Sequence, residues 1–158
     1  VICYTTKMNE RPDHEYFMRL AIEQAKLGVA AGGGAIGSVI TKDGKLVASG
    51  YNEEEIMHDP TAHGEIVTIR KLCKEWQTRH IPGCTIYSTL QPCGMCTVAC
   101  IWAGVNTIVY GAERKDVNSM YFDEKHNNTI DLVHDAFRND ITVIPGVLEE
   151  ECSALYLK

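Results

Sequence analysis

Two short runs, His63-Gly64-Glu65 and Pro92-Cys93-Gly94-Met95-Cys96, most constrain how this chain can fold. Each stands at the head of a segment that reads as a helix. After the first, Ile66, Ile69, Leu72, Cys73 and Trp76 recur at helical spacing; the second opens a helix expected over Cys93 to Ala103. Pro92 suits the first turn of a helix, so Cys93 and Cys96 share one face at its positive end, where a thiolate is favoured. Asp59-Pro60 reads as an N-cap followed by proline at the first helical position, which puts His63 near the start of its own helix. A fold that faces the two helix starts delivers one imidazole and two thiolates to a single tetrahedral ion. Zinc is the natural occupant of such N/S ligation. Three protein ligands leave a fourth position open, as in a catalytic site. Glu65 lies close by in sequence, and a carboxylate beside a metal-activated water can take its proton and pass it to a leaving amine. Together these groups describe hydrolytic removal of an amino group from an unsaturated carbon.

Two competing readings use the same residues. A Cys-x-x-Cys at a helix start is also the pattern of a redox dithiol, but that leaves His63 and Glu65 unexplained. A closed structural zinc site requires a fourth ligand, with Cys84, His58 or Cys100 as candidates; Cys100 lies about 10 Å along the helix from Cys93 and is assigned to the core. The chain has seven cysteines, an odd number, and early charges at Lys7, Glu10, Arg11 and Asp13 do not fit a secretory leader. Reduced thiols in a cytoplasmic protein are therefore expected. A length of 158 residues fits one domain, residues 1–158, and no apolar run approaches the roughly 18 residues of a membrane span. The net charge of −6 argues against nucleic acid as the main partner.

Along the chain, a helix is expected from Asp13 to Ala31, closed by Gly32-Gly33-Gly34. Strands over Ile36–Ile40 and Leu46–Tyr51 flank Lys42-Asp43-Gly44-Lys45, a hairpin turn. The Asp59 helix runs to Trp76, followed by a strand over Cys84–Leu90, the Cys93–Ala103 helix and a strand from Asn106 to Tyr110 bounded by Gly111. Glu113 to Asn139 stays unassigned; a strand over Ile141–Ile144 and a helix over Val147–Leu157 close the chain. This order implies an α/β fold with helices on both faces of a mixed sheet. Gly32 to Gly37 satisfies the G-x-G-x-x-G pattern of dinucleotide binding, but a helix precedes it and a strand follows, the reverse of what that site needs.

On these residues the chain resembles the cytidine and deoxycytidylate deaminase superfamily, and more narrowly its nucleobase and tRNA-adenosine branch. His-x-Glu followed by Pro-Cys-x-x-Cys is the signature of its zinc nucleobase deaminases. The resemblance implies a three-layer α/β/α fold around a five-stranded mixed sheet. It also implies zinc on His63, Cys93 and Cys96, with Glu65 as proton shuttle, and a homodimer that packs the zinc-bearing helices across subunits. Asp59-Pro60-Thr61-Ala62-His63-Gly64-Glu65 resembles the Asp-Pro-Thr-Ala-His-Ala-Glu run of guanine and tRNA adenosine deaminases; Gly64 in place of alanine resembles fungal cytosine deaminase. By the same resemblance Asn52 hydrogen-bonds the base, and the Gly64 and Cys93 amides lie near its polar edge.

Phe122-Asp123-Glu124 resembles the Phe-Asp-Asp segment of bacterial guanine deaminases, and Trp102 and Asp116 fall where that subgroup has Trp and Asp. There an acidic residue contacts the guanine amino side, delivered by a neighbouring subunit through a swapped C-terminal segment, which makes Asp123 and Glu124 the candidates here. Two positions depart from guanine deaminases. Gln91 replaces a glutamate, and Ala35-Ile36 replaces a Pro-Phe pair, leaving Ile36 as the apolar wall. Thr89 to Thr97 instead resembles fungal cytosine deaminase. The expectation is a zinc-dependent deaminase of a free nucleobase, guanine first. Cytosine, a triazine, a pterin or a nucleoside stands as the alternative, and a tRNA adenosine deaminase ranks behind them. That last reading needs a basic face, which the acidic total and Glu149-Glu150-Glu151 oppose.

Overall fold

The computed structural model describes residues 13–117 and 128–156. Helix α1 (His14–Ala30) starts where Asp13 accepts a hydrogen bond from the Tyr16 amide, and its buried stripe includes Phe17, Met18, Ala21, Ile22 and Ala25. Strands β1 (Gly37–Lys42) and β2 (Lys45–Tyr51) pair antiparallel around Asp43 and Gly44, both at positive φ (50° and 71°). That is the two-residue turn whose twist suits a hairpin.

The next segment differs from expectation. A short helix α2 (Glu54–Met57) adds to the expected elements, and α3 (Gly64–Glu75) begins at His63 rather than Asp59. The Asp59 carboxylate takes the amide and hydroxyl of Thr61 instead of capping a helix, and the Ala62 carbonyl accepts from the Glu53 amide. An Ala62 carbonyl held by Glu53 is turned away from the Ile66 amide it would meet in a continuous helix. Asp59 to His63 is therefore a loop clasped to residue 53.

Strand β3 (Cys84–Leu90), helix α4 (Gly94–Ala103) and strand β4 (Thr107–Ala112) form a parallel crossover unit. Gly111 lies inside β4 rather than bounding it, because the ladder with β3 continues to the Leu90–Ala112 pair. A 3-10 turn (Arg114–Asp116) and helix α5 (Thr129–His134) occupy the stretch left unassigned, and β5 (Thr142–Ile144) pairs parallel to β4. Helix α6 (Glu149–Ser153) is shorter than expected: Gly146 and Leu148 both have positive φ (74° and 54°), and the Val147 amide donates to the Tyr110 carbonyl. The C-terminal segment, expected as a candidate for exchange between subunits, packs on β4 of its own chain through Cys152.

The sheet order is β2-β1-β3-β4-β5, five strands of mixed direction, as expected. Adjacent strand residues feed opposite layers. Val39, Tyr87 and Val109 pack with α1 and α6, whereas Ile40, Ile86 and Ile108 pack with Ile69 and Leu72 of α3 and Cys100 and Ile101 of α4. Each such large side chain removed from water contributes roughly 1.5–3 kcal/mol, which makes the three-layer arrangement the way to bury both sheet faces. Among the described residues no helix is long and apolar enough to cross a membrane.

Candidate metal centre and active site

Two helix starts meet at the C-terminal end of β3. His63 is the N-cap residue of α3, in extended conformation (φ −64°, ψ 153°), and its ring turns towards α4 instead of capping its own helix. Cys93 is the N-cap residue of α4; its Sγ accepts the Cys96 amide at 3.4 Å. Pro92 thus precedes the cap rather than opening the helix, and its carbonyl accepts from the Thr129 hydroxyl at 2.9 Å, tying the turn to α5. His63 Nδ1 stands 3.6 Å from Cys93 Sγ and 3.6 Å from Cys96 Sγ. The three ligand atoms lie within 4.8 Å of one another, a nitrogen and two sulfurs spaced to share one ion.

The three groups are electrostatically coupled. Cys93 is pulled down to about 3, first by the hydrogen bond from the Cys96 thiol and then, against its burial, by His63. Its partner Cys96 is pushed far up, chiefly because it donates to Cys93. His63 is raised to about 9, mainly through its hydrogen bond with Cys93. Both ligand-bearing helices also turn their positive ends to the cluster.

Glu65 stands in the first turn of α3, is 2% exposed, and accepts the Ser88 hydroxyl from β3 at 2.9 Å. Burial raises its pKa, the direction that lets a carboxylate hold and release a proton near neutrality. Beside it, the Gly64 amide donates to Asn52 Oδ1 (2.6 Å) and the Asn52 amide donates to the Ile36 carbonyl (3.0 Å). Ile36, Asn52, His63, Gly64, Glu65, Cys93 and Cys96 are thus brought together.

Trp102 is not. It sits at the far end of α4, about 13 Å along the axis from Cys93, 65% exposed and in tilted ring contact with Phe137. Within a single chain a ten-residue helix separates it from the cluster. Asp123 and Glu124 lie outside the described residues.

Two neighbours of the cluster were missed by sequence reasoning. Glu54 Oε1 lies 3.2 Å from His63 Nε2, and its Oε2 accepts from Asn52 Nδ2 at 2.9 Å. Within Glu53-Glu54-Glu55 nothing in the pattern distinguishes it. Arg114 reaches the cluster from the turn after β4. Its Nε donates to the Gln91 carbonyl (3.2 Å) and its amide to Gln91 Oε1 (3.1 Å). Burial lowers its pKa, opposed by the negative charge of Cys93, Glu65 and Cys96. The Gln91 side chain thus orders this turn. Cys84, Cys100 and Cys152 are buried free thiols of the core.

Comparison with known proteins places this geometry. Residues 11–112 match the family described as "Cytidine and deoxycytidylate deaminase zinc-binding region". The guanine deaminase of Bacillus subtilis (strain 168) is 41% identical over 113 residues, covering 71% of this chain and 72% of that protein. The tRNA-specific adenosine deaminase of the same organism is 33% identical over 145 residues, covering 89% and 84%. A solved guanine deaminase from Nitrosomonas europaea superposes with a TM-score of 0.80 at 28% identity, over 90% of this chain and 81% of that one.

Proposed function

Since the chain belongs to the cytidine and deoxycytidylate deaminase family and carries its zinc-binding deaminase domain, we propose that it hydrolytically deaminates a free nucleobase, with guanine the first substrate. The observation that carries this reading is the meeting of His63, Cys93 and Cys96 with the buried Glu65. Glu54 sets a carboxylate 3.2 Å from the His63 ring. A negative group there opposes the approach of a phosphate backbone. The 41% identity to a guanine deaminase supports the same choice among bases.

In this reading His63, Cys93 and Cys96 hold zinc, a fit supported by their N/S/S donor set and mutual spacing. Bound there, zinc supplies Lewis-acid activation of a water molecule. Glu65 takes the proton of that water on its carboxylate and returns it to the departing amino nitrogen. The water oxygen ends on the ring carbon and ammonia leaves. Ser88 holds the Glu65 carboxylate in place while it does so. Asn52, held in place by the Gly64 amide, and the Ile36 wall orient the base. Residues 1–158 act as one deaminase domain, working in the cytoplasm.

The protein works as a homodimer. Support comes from α4, whose outer face leaves Met95, Val98 and Trp102 exposed beside Phe137 of the following segment. Packing that face against a second copy would bring Trp102 into play between subunits, while Asp123 and Glu124 stay candidates by sequence for the amino side of the base. tRNA adenosine deamination is the second reading, favoured by the longer alignment with the B. subtilis tRNA enzyme. Ammonia release by zinc-loaded protein from guanine, cytosine, adenine, cytidine, guanosine and ammeline, with unmodified tRNA alongside, tests both. Turnover of guanine is expected. Silence on every free base with inosine appearing in tRNA overturns the proposal.

A further inference from the structure

We propose that Glu54 is a positioning residue of the metal centre, its carboxylate bridging His63 and Asn52 so that one group sets the orientation of both. The inference rests on the roles proposed above for those two residues. A carboxylate only accepts hydrogen bonds, so both atoms it touches are donors. His63 Nε2, 3.2 Å from Oε1, therefore carries a hydrogen, and in the neutral ring that leaves the Nδ1 lone pair facing the two sulfurs. That is the tautomer a neutral imidazole needs in order to ligate through Nδ1.

Asn52 gives the same answer from the other side. The Gly64 amide can only donate, so the atom 2.6 Å from it is Oδ1, and the opposite end of the side chain is the NH2 group. That group meets Glu54 Oε2 at 2.9 Å. The two assignments are made independently and agree, and both require an acceptor with two oxygens between the two residues.

Glu54 is also fixed in space by the loop that carries it. Its partners are the two ends of the segment from Asn52 to His63, and the Glu53 amide closes that segment on the Ala62 carbonyl at 2.9 Å. Asp59 pins the far side, taking the Thr61 amide and hydroxyl and pairing with Arg70 at 3.2 Å. With the loop held at three places, the Glu54 carboxylate is presented to His63 and Asn52 rather than left to search for them. Glutamine at this position has one acceptor oxygen, so its amide end would face one of the two donors. Either the His63 tautomer or the Asn52 amide loses its partner.

The test uses Glu54→Gln and Glu54→Ala in the full chain, with zinc affinity measured by competition with a chromophoric chelator. Loss of the group that orients a metal-ligating histidine typically weakens binding about 10–100-fold, and that drop is expected in both variants. In addition, nitrogen-15 spectra of zinc-loaded protein should show His63 protonated at Nε2, with that proton signal shifted or lost in both variants. Thermal melting of each variant is recorded alongside. Unchanged zinc affinity with an unchanged Nε2–H signal overturns the proposal, as does weaker zinc binding accompanied by general unfolding in both variants. If the chelator result holds and no free base is turned over, the nucleobase reading fails and the Glu54 assignment stands. Guanine turnover with unaltered zinc affinity in both variants does the opposite: the nucleobase reading stands and the Glu54 assignment fails.

Discussion

The Ser88 hydroxyl on β3 donates to Glu65 Oε1 on α3 across 2.9 Å, with both side chains out of reach of solvent. A buried carboxylate keeps its place and its proton balance through such partners. Ser88→Ala removes a donor to a charged acceptor, an interaction worth about 1.5–3 kcal/mol. We expect kcat to fall by about tenfold or more while the zinc content stays at one per chain. Glu65→Gln should keep zinc too and lose about 10²–10⁴-fold in kcat, the range of a general acid–base group. Steady-state kinetics with metal analysis decides it; activity retained by Glu65→Gln would sink the proton-shuttle role.

Gly111 marks where the C-terminal helix seats on the sheet. A Cβ placed there runs into Cys152 Sγ and Cβ. Gly111→Ala should therefore destabilise the fold by about 1–3 kcal/mol through overpacking. Cys152→Ala opens room for the added methyl, so the double variant should recover part of the loss. Urea unfolding of the four proteins measures the coupling, and strictly additive losses would show that α6 does not seat there.

Alkaline pH should loosen the α1 layer. Tyr87 is fully buried with its hydroxyl 3.0 Å from His14 Nδ1, and burial pushes its pKa from 10.0 up to about 12. Between those values the unfolded chain has released the phenolic proton and the folded chain still holds it. Folding stability therefore falls as pH rises through this window, by about 1.4 kcal/mol per pH unit from this group. Tyr87→Phe should be less stable at pH 8 by about 1 kcal/mol, having lost the His14 bond, yet should decline less between pH 10 and 12. Parallel denaturation curves across that window would contradict the assignment.

Trp102, 65% exposed, and Phe137, 75% exposed, meet at the end of α4 with ring centroids 5.8 Å apart and the rings tilted by 58°. If this face joins two copies, Trp102→Glu places a charge in the interface. The mass in solution should then fall from two chains to one, with the melting curve of the single chain retained. Light scattering on the unmodified protein sets the baseline; a single-chain mass there removes the dimer from the proposal.

The spacing of residues made much of the metal centre legible. His63, Glu65, Cys93 and Cys96 belong to helix starts, and a helix start orders its own first turn, so their relative placement is nearly a local matter. The β1–β2 turn was legible for the same reason, since Asp43-Gly44 adopts positive φ with little strain. The strands could be read because Val39/Ile40, Ile86/Tyr87 and Ile108/Val109 place apolar side chains on both faces, the mark of a sheet covered twice.

Tertiary structure decided the rest. Asp59 has the local pattern of a helix cap, but the Glu53–Ala62 bond draws its neighbours into a clasped loop, and that bond depends on a closure no local pattern encodes. Glu54 is one acid among three in sequence, and Arg114 a residue of an irregular turn; each reaches the cluster only because a loop or strand end is folded over it. Trp102 shares a helix with the cysteines yet ends far from them, because helix rise separates what the sequence holds close. The sequence by itself determined which atoms can bind and react, since that follows from residue type and short-range spacing. Which carboxylates, cations and aromatic rings surround those atoms was decided by long-range chain closure, where entropy and packing, not spacing, choose the neighbours.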